Sequence, residues 1–219
     1  MATWKPYRIS DIVTEIDEEK FVLPVIQRSL VWTEEKMELL YDTVLKGNSF
    51  GGIMVIEEEK GTRPLFSYRP FTKDGNFIAS KEVEKLFQTQ SFVIDGQQRL
   101  QSFYIGLKGS INGKELYFDL FSDYNSEFEF RFSKMLKDLP KSSKEIAERP
   151  ITKYFWYSAK ELLKKLRETN DDDDISEEII LSNNIQNNEE KEYICKNIRT
   201  FYKNIVSAES LGISKVTIN

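Results

Sequence analysis

The sequence predicts a mixed α/β fold, in which a small mixed-sheet core is followed by a mainly helical half. Two observations lead to this class. In the first 133 residues, short apolar runs of strand length lead into segments with helical spacing, as in FVIDGQQRL at residues 92–100. From about residue 134 onward, helical spacing dominates. We therefore expect an α/β core at residues 1–133 and a helical extension at residues 134–219, with a final strand that returns to the sheet.

Local patterns define the elements of the core. The clearest helix is residues 33–47, where Thr33 suits the N-cap and Gly47 suits the position just after the helix end. Residues 1–20 are expected to be helix and loop. The other expected strands are residues 21–32, 51–59, 63–71 and 91–94, and the other expected helices are residues 81–87 and 98–109.

Two later segments are also predicted to be strands. Phe128, Phe130 and Phe132 alternate with charged residues, which indicates the half-buried second strand of a hairpin over residues 115–133. The segment ISKVTIN, residues 213–219, has the composition of a strand. Because this strand stands at the extreme terminus, we expect the chain to be a fragment of a longer protein.

The extension has two helical patterns separated by an acidic run. Ser158 and Glu161 form a capping box at the start of one helix. Asp171–Asp174 is expected to be a solvated loop rather than a metal site. The second helix is expected at residues 189–207, and its inward face consists of Ile194, Ile198, Phe201 and Ile205.

Composition excludes several kinds of chemistry. The 219 residues include no histidine, which rules out Ser-His-Asp triads, histidine metal sites and histidine-metal nucleases within this chain. The net charge of −5 offers no general attraction for nucleic acid. A single cysteine, Cys195, cannot form an internal disulfide, and no apolar run reaches the roughly 20 residues that span a bilayer. These features predict a cytoplasmic protein with no membrane partner.

The segment FVIDGQQRL allows two interpretations. In the first, Asp95 is an N-cap and Gln98 completes a capping box, so the segment is only a helix start. This interpretation does not explain Gln97 and Arg99. It explains Gly96 poorly, because glycine inside a first helical turn costs stability. Capping therefore accounts for part of the segment.

In the second interpretation, the same segment is a binding site. A strand that leads into a helix places ligands at its carboxyl end, and the helix N-terminus attracts phosphate. Gly96 lets a ligand approach the backbone, and Arg99 can hold phosphate oxygens with two N–H groups. Asp95 can hold a metal ion or orient a water. Upstream, Gln27 and Arg28 repeat the pairing of glutamine with arginine, although alone they are better explained by structural contacts.

Taken together, these motifs resemble the N-terminal domain of GmrSD-type restriction systems, which belongs to the ParB/sulfiredoxin-like superfamily. The resemblance covers most of the chain and is weakest between residues 134 and 205. The resemblance rests on Pro24, Gln27, Arg28 and Trp32, then on Gly51, Gly52 and Ile53, and finally on Ile94 to Leu100.

The resemblance implies a domain that binds and hydrolyses a nucleoside triphosphate, of unknown base, in a prokaryotic restriction or phage-defence protein. Asp95 and Arg99 would be catalytic, and Asp95 would hold Mg²⁺ as the expected metal ion. The implied nucleotide-binding residues are Gln27, Arg28, Gly96, Gln97, Gln98 and Arg99.

The resemblance also implies partners. Related proteins carry a nuclease of the His-Asn-His type, so here it would lie in an absent C-terminal domain or in another subunit. DNA would then be contacted through the full-length protein. Assembly into a homo-oligomer is a further possibility. Sulfiredoxin chemistry is not expected, because Cys195 lies far in sequence from the phosphate loop.

Two other functions remain open at the level of sequence. The same groove could serve a non-catalytic module that binds DNA or a protein partner. Alternatively, the domain could be purely structural, with FVIDGQQRL acting only as a helix cap. Nucleotide titration separates the triphosphate function from both.

Overall fold

The structure is a computed structural model, and it describes residues 2–142 and 151–217. These residues confirm the mixed α/β class. In chain order the elements are β1 (Ala2–Tyr7), α1 (Ile9–Asp17), β2 (Phe21–Pro24), α2 (Glu34–Leu45), β3 (Ile53–Glu58), β4 (Tyr68–Pro70), β5 (Gln90–Asp95), α3 (Gln97–Lys108), β6 (Glu115–Asp119), β7 (Phe130–Ser133), β8 (Trp156–Ser158), α4 (Ala159–Thr169), α5 (Asp172–Ser182), α6 (Asn188–Phe201) and β9 (Leu211–Thr217). Within the described ranges, no helix has the length and apolar character needed to cross a membrane.

The chain forms two compact units, each assembled from separate stretches of sequence. The first unit consists of Met1–Trp32, Phe50–Ile111 and Ala208–Asn219, and the second of Thr33–Ser49 and Asn112–Ser207. The division into domains at residue 133 stays a prediction, because compact units and independently folding domains are different properties.

The first unit contains a six-stranded mixed sheet in the order β1-β9-β3-β5-β2-β4. Strands β2 and β5 are parallel neighbours, whereas β3 runs antiparallel to β5. The carboxyl ends of β2 and β5 therefore lie at the same edge of the sheet as the start of β3. A buried cluster of Val22, Tyr68, Leu86 and Phe92 packs at the β4 side of this sheet.

The final strand of the chain lies within this sheet. Strand β9 pairs antiparallel with β1 and parallel with β3, which confirms the predicted return strand through Thr217. Ile218 and Asn219, which also belong to the predicted strand, lie outside the described residues. The expectation of only helix and loop before residue 20 was wrong, because β1 forms there. Strand β1 is an edge strand whose sole partner in the described sheet comes from more than 200 residues away, so no local pattern signals it.

The second unit contains the predicted hairpin. Strands β6 and β7 pair antiparallel, with Phe118 opposite Phe130, and β8 pairs on the other side of β6. Phe128, Phe130 and Phe132 are all buried, as the alternation predicts. The rings of Phe118 and Phe130 stack with their centroids 4.6 Å apart, so this face forms the core of the unit.

The helix caps of the second unit also follow the sequence. The Thr33 side chain accepts a hydrogen bond from the Lys36 N–H, and Ser158 does the same for Glu161. Gly47 follows the C-cap of α2 with φ of +69°, a conformation that glycine adopts without strain. These caps depend on contacts three residues apart, which explains why the sequence alone reveals them.

Two predicted elements were wrong. Residues 81–87 are not helical, because their backbone bonds to other segments: Lys81 pairs with Tyr68, and the Leu86 N–H donates to the Thr62 carbonyl. The acidic run is not a loop, since Asp171 is the N-cap of α5 and accepts from the N–H groups of Asp173 and Asp174. Carboxylates at a helix N-terminus are favoured by the helix dipole, which accounts for this run without a metal ion.

The predicted helix at residues 189–207 is present with one change. Helix α6 continues as a π-helical segment over Tyr202–Ser207, while Ile194, Ile198, Phe201 and Ile205 are buried as expected. Cys195 is partly buried on α6, and this burial raises the pKa of its thiol. A raised pKa is the opposite of what a reactive cysteine requires.

Candidate functional site

A polar pocket of about 240 Å³ lies at the edge of the first unit's sheet where β2 and β5 end. Parallel pairing of these two strands brings together two motifs that are about 70 residues apart in sequence. The pocket is lined by Gln27, Arg28, Trp32, Ile94, Asp95, Gly96, Gln97, Gln98 and Arg99. The structure thus brings every residue of the sequence-predicted site to one place.

The helix start at this pocket differs from the predicted capping box. Gly96, not Asp95, is the N-cap of α3, and it has φ of +83° with no side-chain hydrogen bond at the cap. Asp95 is the last residue of β5, and its side chain is 74% exposed. The capping interpretation was wrong because the chain turns from strand to helix in a left-handed conformation, which suits glycine. Among the side chains that the structure describes, none accepts a hydrogen bond from the first N–H groups of α3.

Gln98 holds the loop that follows β2. Its Oε1 atom accepts from the backbone N–H groups of Val31 at 2.8 Å and Trp32 at 3.3 Å. Its Nε2 atom donates to the Ser29 carbonyl at 3.1 Å. Because these bonds use both ends of a buried amide, the contribution of Gln98 is to position the loop.

Two other glutamines join the same loop to the strand and helix. The Nε2 atom of Gln27 donates to the Ile94 carbonyl at 3.0 Å, and that of Gln97 donates to the Arg28 carbonyl at 3.0 Å. The Oε1 atom of Gln97 is buried and has no hydrogen-bond partner in the described part of the chain. An unsatisfied buried acceptor in a native site is explained by a bound water, an ion or a functional role.

Arg99 has a structural contact as well as a place at the pocket. Its Nη1 atom donates to the Phe50 carbonyl at 2.8 Å, and its Nη2 atom lies 3.5 Å from the Asp95 carboxylate. The side chain is only 16% exposed and lies directly over Gly51. A guanidinium has five donors, so Arg99 retains capacity for a ligand.

Arg28 and Arg69 place two further positive charges near the pocket. Arg28 is exposed, and its guanidinium forms no hydrogen bond or ion pair with the described residues. Arg69 is buried and donates to the carbonyl oxygens of Gln27 and Arg28 at 3.4 and 3.1 Å. Sequence reasoning missed Arg69, because only the pairing of β4 with β2, opposite Leu23, brings it to this loop.

The carboxylate at the pocket suits a metal ion only if a bound ligand supplies further oxygen atoms to that ion. Within the described ranges, no group of three or more His, Cys, Asp or Glu side chains is arranged to hold a metal ion. Asp95 is the single carboxylate that lines the pocket. Mg²⁺ is commonly held by one or two carboxylates together with phosphate oxygens and waters, so Asp95 suits that arrangement and not a metal centre built by the protein alone.

Gly51→Ala is expected to reduce both stability and phosphate binding. A Cβ atom at Gly51 would lie 2.3 Å from Arg99 Nη1, so the guanidinium would have to leave the Phe50 carbonyl. Gly61→Ala is the matched control. Gly61 has φ of +84°, close to the +85° of Gly51, but no atom lies within 4 Å of the added carbon. We expect Gly61→Ala to lose about 1–2 kcal/mol from backbone strain alone, measured by urea unfolding.

The difference between the two variants reports on Arg99. Gly51→Ala should lose about 1 kcal/mol more than Gly61→Ala, and only Gly51→Ala should lose affinity for inorganic tripolyphosphate. Equal stabilities and equal affinities would show that the position of Arg99 does not depend on Gly51.

The fold and the pocket define a class: a mixed α/β domain with a cationic, glycine-containing pocket at one sheet edge. The chain matches the family model described as GmrSD restriction endonuclease, N-terminal domain, over residues 9–219. It therefore belongs to that family, which makes it a domain of a restriction and phage-defence protein. A comparison with curated proteins found no match. The relationship to the ParB/sulfiredoxin-like superfamily stays a prediction.

Proposed function

We propose that this domain binds a nucleoside triphosphate by its phosphate groups and hydrolyses it to regulate the restriction protein. One observation carries the proposal: the exposed guanidinium of Arg28 and the start of α3, which no side chain caps, line the same pocket. Backbone N–H groups at a helix N-terminus and arginine side chains are the groups that bind phosphate in proteins. Gly96 lines the same pocket, and its φ of +83° turns the chain from β5 into α3.

The size of the pocket supports binding through phosphates. Its volume of about 240 Å³ is smaller than the roughly 300–1,000 Å³ of pockets that enclose drug-sized ligands. Phosphate groups would therefore lie inside, and the nucleoside would extend to the rim. Asp95 is the one acidic residue among those that line the pocket, so positive charge prevails there.

Hydrolysis would depend on Asp95 and Arg99. The exposed carboxylate of Asp95 can orient an attacking water or hold Mg²⁺ jointly with phosphate oxygens. The ion would supply neutralisation of the phosphate charges. The spare donors of Arg99 can stabilise the negative charge on the transferred phosphoryl group. Two partners are proposed: the nuclease that such a domain would regulate, and the DNA that this nuclease would cut.

Arg28→Ala is expected to weaken nucleoside triphosphate binding by about ten- to a hundredfold. The change removes a charge-assisted interaction of about 1.5–3 kcal/mol with a phosphate. Because Arg28 has no partner among the described side chains, the melting temperature should stay near that of the wild type. Isothermal titration calorimetry measures the affinity, and Arg63→Ala is the control, since Arg63 is an exposed arginine of the same unit outside the pocket. Unchanged affinity in Arg28→Ala would contradict the proposed site.

A further inference from the structure

An exposed aromatic ring lies over a buried cation beside the pocket. Phe77 is 66% exposed, and the guanidinium carbon of Arg69 lies 5.2 Å from the centroid of its ring. Arg69 itself is only 5% exposed. One face of the Phe77 ring is thus supported by a fixed cation, while much of the ring is open to solvent.

Arg69 connects this ring directly to the pocket. Its Nη2 atom donates to the Arg28 carbonyl, and that carbonyl also accepts from Nε2 of Gln97, which lines the pocket. The guanidinium of Arg69 therefore lies between Phe77 and the loop that follows β2.

The charge of Arg69 also points to an anion nearby. A buried charge is costly unless it is paired, yet Arg69 has no carboxylate partner in the described part of the chain. Burial lowers the pKa of Arg69, and no neighbouring acid offsets this effect. The hydrogen bonds from its Nη2 atom to two carbonyls do not neutralise its charge. A polyphosphate in the adjoining pocket would supply that neutralisation.

We propose that Phe77, supported by Arg69, is the platform on which the nucleobase stacks while the phosphates occupy the pocket. This inference rests on the proposed function and extends it to the nucleoside. The pocket is smaller than those that enclose whole drug-sized ligands, so a nucleotide whose phosphates fill it would leave the base at the rim. Stacking accepts every base because each has a π-face, so all four nucleoside triphosphates should bind.

The chain offers a matched control for Phe77. Phe87 belongs to the same unit and is 83% exposed, but no cation lies over its ring in the described structure. Isolated exposed phenylalanines of this kind are common on protein surfaces and need no function. Phe77→Ala and Phe87→Ala therefore remove the same group from a proposed platform and from an ordinary surface position.

The test compares ATP, GTP, CTP and UTP with inorganic tripolyphosphate by isothermal titration calorimetry. We expect Phe77→Ala to weaken binding of the nucleotides by about five- to a hundredfold. Its affinity for tripolyphosphate should stay unchanged, because that ligand has no base. Phe77→Tyr should retain nucleotide affinity and Phe77→Leu should not, since only the first keeps an aromatic ring. Phe87→Ala should match the wild type for every ligand.

Each other outcome has a definite meaning. Unchanged nucleotide affinity in Phe77→Ala would contradict base stacking on Phe77, but it would not contradict phosphate binding in the pocket. Equal loss of nucleotide and tripolyphosphate affinity would also contradict base stacking, because Phe77 would then act through Arg69 and the loop. If the wild type bound neither kind of ligand, the proposed function would fail together with this inference.

Discussion

Asp95→Asn is expected to reduce nucleoside triphosphate hydrolysis by about a hundredfold or more, while nucleotide binding persists. Asparagine keeps the shape of the side chain but cannot accept a proton from water or hold a cation as strongly as a carboxylate. The melting temperature should barely change, because Asp95 is 74% exposed and caps no helix. Its ion pair with Arg99, at 3.5 Å, is worth at most about 1 kcal/mol in such an exposed position.

The measurement is phosphate release at saturating nucleotide, with affinity measured separately. Asp11→Asn is the control, since Asp11 is a partly exposed aspartate of the same unit outside the pocket. Wild-type turnover in Asp95→Asn would remove Asp95 from the catalytic role. Loss of binding together with turnover would instead mean that Asp95 contributes to holding the ligand.

Gln98→Ala is expected to lose about 1–3 kcal/mol of stability. The change removes the acceptor used by the N–H groups of Val31 and Trp32 and the donor used by the Ser29 carbonyl. Leaving buried polar groups without these partners costs roughly that amount. Nucleotide affinity should also fall, because Arg28 lies on the loop that Gln98 positions.

Urea unfolding checks this prediction. Gln88→Ala is the control, since the Gln88 side chain forms one hydrogen bond, to the Glu18 carbonyl, away from the pocket. Gln98→Glu should fall between the wild type and Gln98→Ala, because it keeps the acceptor and loses the donor. If Gln98→Ala were as stable as Gln88→Ala, the loop would be held by other contacts.

Arg99 illustrates how the structure changes an expectation from sequence. From sequence alone, Arg99→Ala should fold normally and bind phosphate poorly, because arginine at that position has no role in capping. The structure adds a hydrogen bond from Arg99 to the Phe50 carbonyl. Loss of affinity in that variant would therefore combine the loss of a phosphate contact with movement of the Phe50–Gly51 segment, and Arg28 gives the cleaner test.

The sequence by itself determined the features that depend on neighbours within a few residues. The caps at Thr33 and Ser158 and the alternation at Phe128, Phe130 and Phe132 belong to this group. Each depends on helical or strand spacing, so the pattern is visible without knowledge of the fold. The family resemblance of the Gln27-Arg28 and Asp95–Arg99 motifs was also visible there, and the family match agrees with it.

Only the tertiary structure decided which contacts the motif residues make. Gly96 replaced Asp95 as the N-cap because the turn out of β5 requires a positive φ, which depends on how the strand is held in the sheet. The pairing of β4 with β2 placed Arg69 at the loop that follows β2, and β9 paired with β1 and β3 although it lies at the far end of the chain. Strand pairing connects residues at any sequence separation, and its register depends on every strand in the sheet, so no local pattern encodes it.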